Sequence, residues 1–301
     1  PDDDLHGLAA VTNKYLIAQC FFAHSVQLLI NAADVLGKKE DVETYSNLLK
    51  DIKSAFLKEF VTPNGILVSE TQTAYTLALN FDMLPEEMRT ETAKRLADNV
   101  ALYNDHLTTG FLGTPYLCNV LSRFGYDSVA YKLLLQETYP SWLYPVKMGA
   151  TTIWERWDGI KKRDSSFQNV MMNSFNHYAY GTIGDWMYRV MAGLSEDAPG
   201  FKKIRIMPHI GKGITSAKAN LQTYYGKAGS AWEIHNNQLV LSVEVPANTT
   251  ASIFIPAKNA DAITEGGKSL SGNKELKFAG REGAYIKVET GSGNYVFKVN
   301  L

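Results

Sequence analysis

The sequence predicts a mainly α chain that turns β: an array of about seven helices, then an antiparallel β-sandwich. Three observations carry this. Apolar residues recur at helical spacing through the first two thirds of the 301 residues. After Asp197-Ala198-Pro199-Gly200 the period switches to alternation. Gly/Asn turn signals then separate several short strands. The expected division is therefore 1–196, helical, and 197–301, β.

Taken in order, Leu16, Ile17, Cys20, Val26, Leu29 and Ala33 form a first apolar face, stopped by Gly37. Tyr45, Leu48, Leu49, Ile52 and Phe56 repeat the pattern within 41–60. Ser69-Glu70-Thr71-Gln72 has capping-box form ahead of Ala74, Tyr75, Leu77 and Ala78. Pro85-Glu86-Glu87 opens the next helix with acids at its positive end. Thr114-Pro115 reads as an N-cap with proline at the first helical position, and Gly125 closes that helix. A sixth helix follows from Asp127 to about Glu137, and a last one runs from about Met172 to Ala192, ended by Gly193. Alternate helices start near residues 12, 71, 115 and 173, a pair period that suits an α-hairpin array. One closed form of such an array is an α/α toroid, inner helices ringed by outer ones. Six pairs would need twelve helices, and about seven are read here.

In the β part, Leu239, Leu241, Val243 and Val245 alternate with Val240, Ser242 and Glu244, the period of a half-buried strand. Asn236-Asn237 is a hairpin turn signal. Residues 251–255 and 284–288 are further strands, and Gly291-Ser292-Gly293-Asn294 is expected to join the latter to 295–299 as a hairpin.

Composition narrows the function. The chain is 45% hydrophobic, 20% charged and 11% aromatic, ordinary for a globular protein. Thirty Lys and Arg against 31 Asp and Glu leave a net charge of -1, so nothing global favours nucleic acid or an anionic membrane. No run of about 18 apolar residues is read, so no membrane span is expected. Cys20 and Cys118 sit in apolar helical patterns and read as buried free thiols. No Cys/His spacing suggests a zinc site. The start, Pro1-Asp2-Asp3-Asp4, has no signal-peptide pattern and reads as a segment of something longer.

Three segments are rich in chemistry-bearing residues. Gly149-Ala150-Thr151-Thr152-Ile153-Trp154-Glu155-Arg156-Trp157-Asp158-Gly159 has no helical period and reads as an ordered loop after Pro140 and Pro145. Indole faces stack on the C–H faces of sugars, and carboxylates bond hydroxyls or move protons. As an isolated string its commoner reading is two core tryptophans and a surface Glu155–Arg156 pair. In the stretch from Met172 to Gly181, Asn173, Asn176, His177 and Tyr180 share one face if the stretch is helical. A polar stripe on an otherwise apolar helix is expected where it lines a wet pocket. The Gly/Thr-rich run His106–Pro115 lacks the G-K-[ST] of a phosphate loop and reads as pocket-rim backbone. If helices alternate inner and outer, all three segments open on one rim, and Glu155 and His177 share a pocket.

The strings Thr108-Thr109-Gly110-Phe111-Leu112-Gly113-Thr114-Pro115-Tyr116-Leu117, Leu133-Leu134-Leu135-Gln136-Glu137-Thr138-Tyr139-Pro140-Ser141-Trp142, 149–159 and 172–181 resemble the bacterial α-L-rhamnosidases of glycoside hydrolase family 78. Pro199-Gly200-Phe201-Lys202 and Val245-Pro246-Ala247-Asn248-Thr249-Thr250-Ala251 resemble that family's C-terminal sandwich. The resemblance implies an (α/α)6 barrel and inverting hydrolysis of terminal α-L-rhamnosides, with two carboxyls roughly 6.5–9.5 Å apart. It implies Glu155 as general base and His177 as a substrate contact, with Trp157 and Trp154 as walls for the sugar. Trp142 and Asn173 join the substrate-binding set, and Arg156 and Asp158 hold the loop. No counterpart of the family's general acid is found in residues 1–301. The resemblance therefore implies the C-terminal part of the barrel plus the sandwich, without efficient activity of its own. Its expected partners are a rhamnose-containing glycoside and the missing barrel half or a second copy. Two other readings stand beside it: another (α/α)6 glycosidase, or a non-catalytic carbohydrate-binding segment. In the latter the sandwich itself would stack sugar through Trp232, Tyr224 and Tyr225.

Overall fold

The computed structural model describes residues 11–160, 164–171, 173–270, 273 and 276–300; Pro1–Asp4 and Met172, named above, lie outside them. The chain divides into two compact units, 1–183 and 184–301, whereas the change of sequence period falls at 196/197. The residues just ahead of that change are already fastened into the second unit. Leu194–Glu196 is a strand paired with Lys203–Ile206. Trp232 Nε1 and Ser230 Oγ donate to the carbonyls of Met191 and Ala192 at 2.7 and 2.6 Å.

The first unit is helical: α1 Lys14–Val35, α2 Lys39–Phe60, α3 Gln72–Asn80, α4 Glu86–Leu102, α5 Thr114–Arg123, α6 Asp127–Leu135 and the short α7 Leu143–Lys147. The even-numbered helices α2, α4 and α6 each pack on the helix before them, while α1, α3, α5 and a 3-10 turn at Ala179–Thr182 adjoin in series. This is the inner–outer alternation of a hairpin array. Asn13 caps α1, accepting from the amides of Tyr15 and Leu16. Thr71, not Ser69, caps α3 through the Ala74 amide at 3.2 Å. Ser69 Oγ is engaged elsewhere, accepting from Asn13 N. Gly113 occupies the cap of α5, so Thr114 is already helical and Pro115 sits in the first turn.

Two expectations are corrected in this unit. Helix α1 has a window of mean hydropathy 1.4 over 18 residues and is long and apolar enough, by length and composition, to cross a membrane. Its polar residues Gln19, His24, Ser25, Gln27 and Asn31 break the apolar run to the eye but carry no formal charge, and its face bearing Leu16, Cys20, Ala23, Val26 and Ala33 is buried in the helical unit. The second correction concerns the helix expected from about Met172. Residues 173–178 are irregular, and helical structure starts at Ala179: a 3-10 turn, one α turn (Ile183–Trp186) and a π turn (Met187–Met191). The backbone of 174–177 is instead bonded to the Trp154–Glu155 loop, with Glu155 N donating to Ser174 O and His177 N to Ile153 O. Asn173, Asn176, His177 and Tyr180 therefore share no helical face. Cys20 and Cys118 are buried free thiols, and burial pushes each up to about 12.

The second unit holds two sheets. Strands β1 Leu194–Glu196, β2 Lys203–Ile206, β6 Thr250–Pro256, β10 Tyr285–Thr290 and β9 Lys277–Glu282 form one, in that order. Strands β3 Ser216–Thr223, β4 Gly226–His235, β5 Gln238–Val245, β11 Gly293–Asn300, β7 Ile263–Glu265 and β8 Lys268–Ser269 form the other. All pairings are antiparallel except β2 with β6. Asn236 and Asn237 turn β4 into β5 with φ of 48° and 61°, as two-residue hairpin turns require. Leu239, Leu241, Val243 and Val245 point inward as their alternation predicted. The expected hairpin at 291–294 is not formed: β10 pairs with β6 and β9, β11 with β5 and β7, so Gly291-Ser292 passes from one sheet to the other.

Candidate active site

The W-E-R-W loop is an ordered, irregular segment of the helical unit, as its lack of period implied. Its backbone is held by the two bonds to 174–177 just described and by a bridge between Ile160 and Phe167. Glu155 is half-buried, and its Oε2 accepts the Ser174 amide at 2.9 Å. Backbone and side chain of Glu155 thus grip the same residue, which fixes where the carboxylate sits.

Around it lies a hollow of about 300 Å³ lined by Gly110, Phe111, Tyr139, Glu155, Arg156, Trp157, Asp158 and Tyr180. Four segments build this wall: the loop before α5, the turn before α7, the W-E-R-W loop itself, and the start of the 179–191 helical segment. Trp157 lies flat on Tyr180, ring centroids 3.7 Å apart and 13° from parallel, and Trp142 meets the edge of Trp157 at 5.6 Å. Trp142 is 8% exposed and spends its indole N–H on Tyr180 O at 2.9 Å, so it backs the wall without lining it. Trp154, 5% exposed, packs edge-on against Phe175 and is likewise outside the lining. Asn173 lies beside Gly159, and its buried Oδ1 has no hydrogen-bond partner among the described residues.

His177 stacks with both Phe111 and Tyr178, with centroids 4.6 and 5.4 Å away and planes within 18°. Its Nδ1 accepts the Ala179 amide at 3.3 Å, which assigns the ring proton to Nε2 and makes that nitrogen a donor. Phe111 lines the hollow together with Glu155, whereas His177 is not among the lining residues and adjoins the hollow through its stack on Phe111. Arg156 and Asp158 form a paired side wall, Nε to Oδ1 at 3.1 Å. Burial, reinforced by the neighbouring Tyr139, raises the Tyr180 phenol well above its usual range, which keeps it a neutral hydrogen-bonding group. The hollow therefore offers two carboxylates, Glu155 and the Asp158 paired with Arg156, together with hydroxyls and flat apolar rings, a surface suited to a polyhydroxylated ring compound. Among the described residues no three His, Cys, Asp or Glu side chains are placed to hold a metal ion.

Sequence reasoning assigned no role to Phe111 or Tyr139. Each stands beside a backbone punctuator, Gly110 or Pro140, and an aromatic at a turn between helices is the only local signal. In the β unit, Trp232 is 2% exposed and bonded to Met191, so it cannot stack a sugar. Tyr225 is covered by the Lys202 ammonium at 4.9 Å, leaving Tyr224 alone exposed.

Comparison with known proteins gives a consistent picture. Residues 2–191 match the family model of the bacterial alpha-L-rhamnosidase 6 hairpin glycosidase domain, and residues 193–270 that of the bacterial alpha-L-rhamnosidase C-terminal domain. An alpha-L-rhamnosidase of Formosa agariphila is 44% identical over 288 residues, covering 95% of this chain and 31% of that protein. One of Streptomyces avermitilis is 40% identical, covering 96% of this chain and 27% of that protein. The crystal structure of a Streptomyces avermitilis alpha-L-rhamnosidase complexed with L-rhamnose superposes with a TM-score of 0.89 at 39% identity, over 99% of this chain and 28% of that one. An Aspergillus terreus enzyme of the same name superposes with a TM-score of 0.85 at 34% identity, over 99% of this chain and 32% of that one. The chain spans about a third or less of the length of each of these relatives.

Proposed function

The chain belongs to the bacterial α-L-rhamnosidase family of six-hairpin glycosidase domains, and from that membership we propose that it is the C-terminal portion of an inverting α-L-rhamnosidase. The observation that carries the reading is Glu155: a carboxylate gripped by Ser174 and set into an aromatic hollow. Its Oε1 has no protein partner among the described residues, so it can take the proton of a water. In this mechanism Glu155 is the general base that activates water on one face of the sugar. A carboxylic acid outside residues 1–301 protonates the leaving oxygen on the other face. Trp157, with Tyr180 behind it, carries the apolar face of the rhamnose ring, and His177 donates from Nε2 to a ring hydroxyl. Trp154, Trp142 and Asn173 support this set from behind the lining. The chain is read as a catalytic portion and a β-sandwich with the sequence boundary at 196/197, although the strand Leu194–Glu196 ahead of it already belongs to the sheet. No metal or cofactor takes part, because two carboxyls supply both proton transfers. The substrate is a glycoside with a terminal α-L-rhamnose.

The test is hydrolysis of a panel of aryl glycosides by the full-length protein, with proton NMR of the sugar first released. Hydrolysis of the α-L-rhamnoside giving the β anomer is expected. Activity on another sugar instead, or release of the α anomer, contradicts the reading.

A further inference from the structure

Gln72 is fully buried at the first helical position of α3 and does not line the hollow. Its side-chain amide nevertheless bonds the loop that does. Nε2 donates to His106 O at 3.0 Å, and Oε1 accepts the Thr108 amide at 2.8 Å. One side chain thereby satisfies both backbone groups that flank the buried Leu107. The next residue of α3, Thr73, closes the same loop at its far end: a Cβ added to Gly113 would lie 2.7 Å from Thr73 Oγ1. Between these two fastenings, Thr109 and Thr114 hydroxyls bond at 2.7 Å.

What the loop carries is the site. Phe111 stacks on His177 and tilts against Tyr180 at 5.3 Å. At the other end the His106 ring meets Thr138 Oγ1 at 2.7 Å, the residue before Tyr139 of the lining. Glu155 is held separately, by Ser174. We infer that Gln72 is a positioning residue, which sets the sugar-holding wall of Phe111 and Tyr139, and the His177 ring stacked on Phe111, without touching them. This rests on the hollow being the rhamnose site.

The division of labour gives the test. Gln72→Met keeps the volume and loses both bonds, releasing the part-buried Thr108 N–H and His106 C=O from α3. In the full-length enzyme, KM for an aryl α-L-rhamnoside is expected to rise about 10- to 100-fold, because a displaced wall weakens sugar binding in the ground and transition states alike. kcat should stay within about 3-fold, since the Glu155 grip is untouched. Gln19→Met breaks a similar bond, Nε2 to Ile52 O at 2.9 Å, between α1 and α2. It controls for lost stability alone and is expected to leave KM unchanged. If Gln72→Met does not fold, Gly113→Ala displaces the same loop through the Thr73 contact and is expected to raise KM likewise. Unchanged KM in the folded variant, or a fall in kcat alone, overturns the inference. If the unaltered enzyme hydrolyses no rhamnoside, the functional reading fails, and the imidazole NMR resonances of His177 decide the inference independently. They should shift in Gln72→Met; unshifted resonances overturn it.

Discussion

The Trp157 indole lies parallel on the Tyr180 phenol at 3.7 Å, and both rings form part of the hollow's wall. One pair thus joins the W-E-R-W loop to the start of the 179–191 helical segment, and its two rings are 8% and 7% exposed. Truncating Trp157 to Ala removes a large buried ring and its stack, at a cost of about 3–5 kcal/mol. Trp157→Phe keeps a stacking face and should cost well under half of that. Denaturant unfolding of both variants checks the order; equal loss in the two would show that the stack is not what the site depends on.

Alkaline pH should unfold the protein progressively. Cys20 and Cys118 are raised by burial from 9.0 to about 12, and Tyr180 and Tyr75 are raised as well, Tyr75 also by its hydrogen bond to Glu70. The unfolded chain ionises at the ordinary values while the folded one holds the protons. Stability is therefore full below about pH 9 and falls as pH rises toward 12. Urea midpoints measured across that window should decline, and a Cys20→Ala/Cys118→Ala double variant should begin its decline nearer pH 10. A flat profile contradicts the burial account.

Gly193 ends the helical segment with φ of 73°, and a Cβ there would fall on the Met207–Pro208 peptide. Gly193→Ala therefore combines a left-handed backbone with a backbone clash, and is expected to cost more than about 3 kcal/mol. Thermal unfolding reports it. A shift of under a degree would show that the 193–208 contact can open freely.

That glycine was legible in the sequence, as were Gly37 and Gly125, because each needs only a local conformation that L side chains avoid. The alternate-helix spacing was legible for the same reason: periodicity is a local signal. What failed was non-local. Asn173, Asn176, His177 and Tyr180 match helical spacing, yet Asn and Ser side chains compete for backbone bonds, and the segment found its partner in Ile153–Glu155. The 291–294 turn looked like a hairpin, but in two stacked sheets neighbouring strands need not pair, and β11 pairs with β5 from far upstream. At the site, Glu155 and His177 stood out by motif. Phe111 and Tyr139 did not, because only the packing of loops against Gln72 and Thr138 brings them to the wall.

Glu155 is the proposed base, and its carboxylate is the group to remove. Glu155→Gln keeps the shape and can still accept the Ser174 amide, but cannot take a proton. In the full-length enzyme, kcat on an aryl α-L-rhamnoside is expected to fall by about 10²- to 10⁴-fold, with L-rhamnose binding by calorimetry largely retained. Turnover near that of the unaltered enzyme would remove Glu155 from the mechanism and contradict the account.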